Sequence, residues 1–282
     1  MTWVAPHESR WQEIAAGPDD RINLAEAALV FAGAEYPELD VAGYVARIDE
    51  MAAKLRGRLR EDMAPAERIL ALNRYLFGEL GFSGNAAEYY DPRNSYLNEV
   101  LDRRLGIPIT LSVVYLAVGR RIGLPLHGVV FPGHFLVKCV VRDGAIVLDP
   151  YGKGASLSLD ELCARLRVLR NGIESDPNQI RMMLAVASNK EILARMQHNL
   201  KGIYLQRKEF AKAVAAIDRI IALAPQAADE YRDRGRLYLE LECFRAALAD
   251  FRSYLLLKPD AEDAIIVQQK AAELQHIAAR LN

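Results

Sequence analysis

The chain has 282 residues, 51% hydrophobic and 26% charged, which suits one large domain or two modest ones with real cores and excludes a disordered chain. Lys and Arg total 36 against 37 for Asp and Glu, a formal net charge of −1 that gives no basic field for nucleic acid and no acidic tail. Three scattered cysteines, Cys139, Cys163 and Cys243, form no CxxC pair and no ligand cluster with the histidines, so neither a disulfide scaffold nor a bound metal is expected and a reducing, cytoplasmic setting is.

The segment 1–20 breaks up too early for a signal peptide, and the most apolar window, 107–116, is too short to span a membrane. From 23 to 80 the pattern is helical. Asp40 is placed to cap a helix with the stripe Val41, Tyr44, Val45, Ile48, Met51, Ala52 and Leu55. Pro65 suits the first turn of the next, followed by Ile69, Leu72, Leu76 and Leu80. Residues 81–93 read as a loop holding Tyr89 and Tyr90, and 94–104 as one short helix. The run 109–120 predicts an apolar helix opened by Pro108, buried on several sides. The pattern then shifts to short strands at 126–131, 134–141 and 145–148, with a hairpin turn at Arg142-Asp143-Gly144. Gly152-Lys153-Gly154 is a loop too short for a phosphate loop, and 159–169 is helical again. The stretch 171–178, with Gly172 and Pro177, is the weakest-packed by composition. The expected domains are therefore 1–175 and 176–282.

The last third repeats every 34 residues: Tyr204 and Tyr238, Phe210 and Phe244, Ala213 and Ala247, Ile217 and Phe251, Leu223 and Leu257, Pro225 and Pro259. Small Ala213 and Ala247 let paired helices approach closely, and each proline ends the second helix of its hairpin. This pattern resembles the tetratricopeptide repeat, with units at about 194–227 and 228–261 and a capping helix at 262–281. The first unit has Lys201 where glycine is expected. The resemblance implies an inner face carrying His198, Leu205, Arg232 and Arg236. Arg232 and Arg236 share a helix face and are candidates to receive a carboxylate, or else to pair within the molecule.

In the front half, pairing across the hairpin predicts that His134 and Asp149 stand roughly opposite each other, the base and orienter of a nucleophilic triad. The apolar helix, Gly123-Leu124-Pro125, the run His134-Phe135-Leu136-Val137 and Asp149-Pro150 resemble the transglutaminase-like branch of the papain-type fold. That resemblance implies a nucleophilic cysteine at the start of the helix, at about Pro108 or Ile109, where none stands. Thr110 and Ser112 are the nearby hydroxyls. Asn94, Asn98, Glu99 and Thr110 are candidate cleft residues, weighed against helix capping at Asn94 and a solvated Glu99. The union of such a domain with tetratricopeptide repeats, and the run from Asn94 to Leu101 followed by Arg104 to Ser112, are similar to the bacterial SirB-type family.

The expected fold class is α+β: a mostly helical transglutaminase-like domain with a small antiparallel sheet, then an all-α repeat domain. The expected function is that of a non-catalytic interaction, adaptor or regulatory protein with a degenerate cleft and a protein or peptide partner. No cofactor, nucleic acid or membrane is expected. The alternative is a hydrolase or amide-modifying enzyme that uses His134 and Asp149 with a non-cysteine nucleophile or an activated water.

Overall fold

A computed structural model of the chain describes residues 6–142, 144–174 and 176–280. The polypeptide divides into two compact units, Met1–Ile192 and Leu193–Asn282. The front unit is mostly helical with small sheets, and the second is all-α. No described helix is long and apolar enough to cross a membrane.

The front unit opens with α1 (Pro6–Ala16), α2 (Leu24–Ala32), α3 (Val41–Arg56) and α4 (Pro65–Asn73). Asp40 does cap α3, its Oδ1 accepting from Gly43 N at 2.9 Å, and Ile48, Ala52 and Leu55 of the expected stripe are buried. A π-helical segment, Arg74–Glu79, continues α4. The parallel bridge of β1 (Ser83–Gly84) with β2 (Leu105–Gly106) encloses α5 (Leu97–Arg103). Residues 94–104 are not the single helix expected. A 3-10 turn at Pro92–Ser95 ends at Tyr96, which is extended, and α5 starts beyond it. Asn94 explains the break, because its carbonyl accepts from Thr110 Oγ1 at 2.8 Å.

The centre of the unit is α6 (Pro108–Arg121), in which every residue from Pro108 to Gly119 is buried. Apolar side chains on all sides are what such a position demands. After it come β3 (Leu126–Phe131), β4 (His134–Val141), β5 (Gly144–Asp149) and β6 (Ala155–Leu157), an antiparallel sheet in the order β3-β4-β5-β6. Val141 pairs with Gly144 across the expected turn, whose Asp143 lies outside the described residues. The fourth strand was not expected. One face of the sheet, with Val129, Phe131, Leu136 and Val147, packs on α7 (Leu159–Leu169) and α8 (Pro177–Met183) through Leu162, Leu166, Ile180 and Leu184. The division between units therefore falls later than 175/176: Ile180 and Leu184 belong to the front core.

The boundary lies inside α9 (Asn189–Gln206). The second unit continues with α10 (Phe210–Leu223), α11 (Ala228–Glu240), α12 (Phe244–Leu257) and α13 (Ala264–Arg280). Ala213 and Ala247 are fully buried where the hairpins close, and Pro225 and Pro259 follow the ends of α10 and α12. Val267, Ala271 and Leu274 of α13 cover the core residues Ala247, Phe251 and Tyr254. Leu281 of the expected capping helix lies outside the described residues.

Candidate functional site

His134 and Asp149 are joined, His134 Nε2 standing 2.8 Å from Asp149 Oδ1. They are not directly opposite in the ladder. The register pairs Val137 with Leu148, which sets Asp149 across from Leu136, while His134 pairs with Phe131 of β3. The two side chains meet as diagonal neighbours on one face, within reach for long side chains. The Asp149 side chain is only 4% exposed. Gly152 N also donates to its Oδ1, at 3.1 Å, and Arg165 of α7 donates to its Oδ2, at 2.8 Å. Burial alone would raise this carboxyl, but the hydrogen bonds from His134, Arg165 and Gly152 and the facing imidazole hold it down to about 2. An ionised carboxylate only accepts, so Nε2 carries the proton in the neutral ring and Nδ1 is left as the basic nitrogen.

An aromatic series leads away from His134. Its ring meets Tyr151 edge to face at 6.1 Å, Tyr151 meets Tyr89 at 6.4 Å, and Tyr89 meets Tyr90 at 5.3 Å. Tyr151 lies against the backbone of Gly84, where a Cβ would stand 2.3 Å from the ring, so only glycine fits. Gly84 pairs with Gly106 beside the start of α6. Tyr151 thus touches both His134 and β1, whose partner β2 leads into α6. Tyr89 and Tyr90 are 38% and 63% exposed, a wall of rings open to solvent.

The start of α6 holds no cysteine. Pro108 and Ile109 are buried. The Thr110 hydroxyl is fully buried, accepting from Ile107 N at 3.1 Å and donating to Asn94 O at 2.8 Å. Ser112 is fully buried, and its Oγ has no hydrogen-bond partner among the described residues. Burial pushes the Cys139 thiol up and away from the thiolate, and Cys163 packs beside the sheet–helix core on α7, away from the start of α6. Asn94 braces the loop before it: Nδ2 donates to Glu88 O at 2.7 Å and Oδ1 accepts from Asn85 at 3.1 Å. It caps no helix. Asn98 is buried with its Oδ1 unpartnered among the described residues, and Glu99 is half-buried. Among the described residues the partners of His134 are Asp149 and Tyr151, and Asn94, Asn98, Glu99 and Thr110 are not among them.

On the repeats, the candidate side chains are held within the molecule. His198 Nε2 lies 3.0 Å from Glu230 Oε1, and Lys201 bridges Glu230 at 2.8 Å and Asp233 at 2.7 Å. Burial would raise Glu230, but His198 and Lys201 bring it below the usual carboxylate range. Arg232 and Arg236 converge on Asp263, at 3.1 and 3.5 Å, and Tyr254 also donates to that carboxylate. The site expected to receive a partner's carboxylate is filled by one from the loop before α13. Among the described residues no group of three His, Cys, Asp or Glu side chains is placed to hold a metal.

Arg165, Tyr151 and Gly84 went unforeseen in the sequence. An arginine on α7 carries no local mark of the carboxylate it will meet, and Tyr151 gains meaning only when β1 is laid beside it.

A transglutaminase-like domain with its histidine–aspartate pair in place, followed by tetratricopeptide hairpins, is what the fold and site define. Comparison agrees: residues 42–198 match the model of the transglutaminase-like superfamily and residues 200–272 that of the tetratricopeptide repeat. A UPF0162 protein of Xylella fastidiosa is 40% identical over 94% of this chain and 95% of its own length. One from Pseudomonas aeruginosa is 32% identical over 89% and 90%. Human F-box only protein 21 is 32% identical over 61% of this chain and 28% of its own. The chain belongs to the UPF0162 family of transglutaminase-like proteins.

Proposed function

We propose that this is a cytoplasmic adaptor or regulatory protein of the SirB type, whose degenerate transglutaminase-like cleft holds a protein or peptide partner without covalent chemistry. The observation that carries this reading is the start of α6. Pro108 and Ile109 fill the position of the nucleophile, and the Thr110 hydroxyl beside them is fully buried and doubly hydrogen-bonded. An unactivated, inaccessible hydroxyl cannot attack a carbonyl. The exposed Tyr89 and Tyr90 offer the kind of surface that anchors partners. The SirB-type assignment rests on the sequence run from Asn94 to Ser112. Affinity capture with the full chain tests the proposal. Tyr90→Ala and His134→Ala should each lose a partner that the wild type and a distant surface variant, Lys54→Ala, retain. Equal recovery by all four would refute it.

A second reading is supported by the dyad itself. Hydrogen bonds from His134, Arg165 and Gly152 hold Asp149 ionised, and with Nε2 donating to it the neutral His134 ring keeps its lone pair on Nδ1, the arrangement that activates water in a hydrolase or amide-modifying enzyme. Turnover of acyl and amide probes by wild type but not His134→Ala would favour it. Identical traces would remove it.

A further inference from the structure

The Gly152-Lys153-Gly154 loop reaches the cleft only through Gly152 N, which donates to Asp149, and it stands at one end of a cavity of about 530 Å3 between α4 and the sheet. The cavity opens beside Ile146 and Leu148, on the face of β5 opposite to Asp149. Ala66, Ile69, Leu70 and Ala155 complete its apolar lining, and Leu70 is 64% exposed. Lys153 is the one ionisable residue among those that line it.

We propose that this groove receives the C-terminal end of a protein chain, an extended segment with an apolar last residue and a free carboxylate. Three features converge on that ligand. First, β6 is the last strand of the sheet, and its Ala155 and Ser156 are exposed and line the cavity. An edge of unpaired backbone groups is a template for an added strand. Second, a segment added antiparallel to β6 ends beside the strand's first residues. Lys153 stands there, and no carboxylate lines the cavity to neutralise it, so its charge complements a chain terminus. Third, the aliphatic walls suit the side chain of that last residue.

The loop is built to hold the lysine in place. Lys153 has φ 58°, a left-handed conformation that costs a lysine more than the glycines on either side. Gly154 has φ 76°, and a Cβ there would stand 2.1 Å from Asn73 Oδ1. Asn73 Nδ2 donates to Gly154 O at 2.8 Å and Ala155 N donates to Gly152 O at 3.3 Å, so the loop is tied to α4 and to itself and the backbone left for an added strand lies beyond the Ala155 N–H. The inference rests on reading the protein as an interaction protein, but it uses a surface separate from the tyrosine wall.

Fluorescence anisotropy of the full chain tests it. The probes are fluorescein-labelled hexapeptides of alanine and serine ending in Leu, Ile, Val or Phe, each as free acid and as amide. At least one free acid should bind saturably and one to one, with its amide at least about tenfold weaker. Lys153→Ala should weaken the acid by a similar factor and leave the amide unchanged, closing the gap. Leu70→Asp, on an exposed position, should weaken both, with circular dichroism confirming that the variants are folded. No saturable binding by any acid, or a gap that persists in Lys153→Ala, overturns the proposal. So does octanoate binding that depends on Lys153 while every peptide fails, since the ligand is then a free aliphatic acid. Tyr90→Ala should bind the peptide normally, so failure at the groove and failure at the tyrosine cleft are read separately.

Discussion

Asp149 gathers more of the front site's chemistry than any other side chain. Its two oxygens are divided between His134 and Gly152 on one side and Arg165 on the other. The folded-state carboxyl titrates at about 2, below the ordinary unfolded value near ~3.9. The sign follows from linkage: the stabilisation is complete above the unfolded value and is lost as pH falls through the folded one. Urea unfolding from pH 2 to pH 7 should show this loss in the wild type. Asp149→Asn should be less stable at pH 7, by on the order of 1–2 kcal/mol after solvent screening, and should show less dependence on pH in the acid range. Equal slopes for the two proteins would mean that the carboxylate carries no such weight. Thr110 is the second informative residue. Its hydroxyl caps the Ile107 N–H and ties α6 to Asn94, so Thr110→Val should cost about 1–2 kcal/mol of stability without abolishing partner capture. A Thr110→Val variant that kept full stability but lost binding would return Thr110 to the cleft.

At the scale of elements, the repeat shows a local sequence departure answered by a tertiary contact. Lys201 stands where the repeat pattern expects glycine, and the structure places its ammonium against Glu230 and Asp233 of α11. Both members of the Lys201–Glu230 pair have side chains about one-tenth exposed. Removing one leaves a buried charge short of its partner, which is costlier than never having built the pair. Lys201→Ala should therefore destabilise the protein by about 2–4 kcal/mol, read as a fall in the urea midpoint. Restoring the expected glycine should do no better. Such clamps show what a sequence conveys and what it does not. Periodicity located α6 and α9 to α13, because helix faces repeat every few residues and proline marks the ends. The β3–β4–β5 strands were legible from β-branched runs and a turn. The break at Tyr96 was not, since it depends on Asn94 meeting Thr110 from another helix. Strand β6 was not, because three residues carry too little pattern. The His134–Asp149 contact followed from hairpin reasoning, although the register is offset by two residues. The third member, Arg165, could be found only with α7 folded over the sheet.

For the whole molecule, composition suggested a boundary where packing does not put one. The stretch 171–178 is rich in turn formers, yet the chain beyond it returns to the front core. Ile180 is fully buried and Leu184 nearly so, against Val129, Phe131 and Leu136 of the sheet. Lys138 Nζ donates to Leu184 O at 2.7 Å, and Ala187 N donates to Gly128 O at 2.9 Å. Further on, Asp19 accepts from the backbone of Asn189 and Lys190 at 3.0 and 2.8 Å. A fragment ending at 175 loses all of these and uncovers the part of the sheet that Ile180 and Leu184 cover, α7 remaining on the rest, whereas a fragment ending at 192 keeps them. Losing the burial of Ile180 and Leu184 alone costs about 3–6 kcal/mol, a large part of the stability of an ordinary domain. The fragment 1–192 should therefore melt cooperatively, and 1–175 should melt at a much lower temperature or bind a hydrophobic dye without a cooperative transition. Equal melting of the two would mean that α8 adds nothing to the front core, and that the Ile180–Leu184 packing is incidental to its stability.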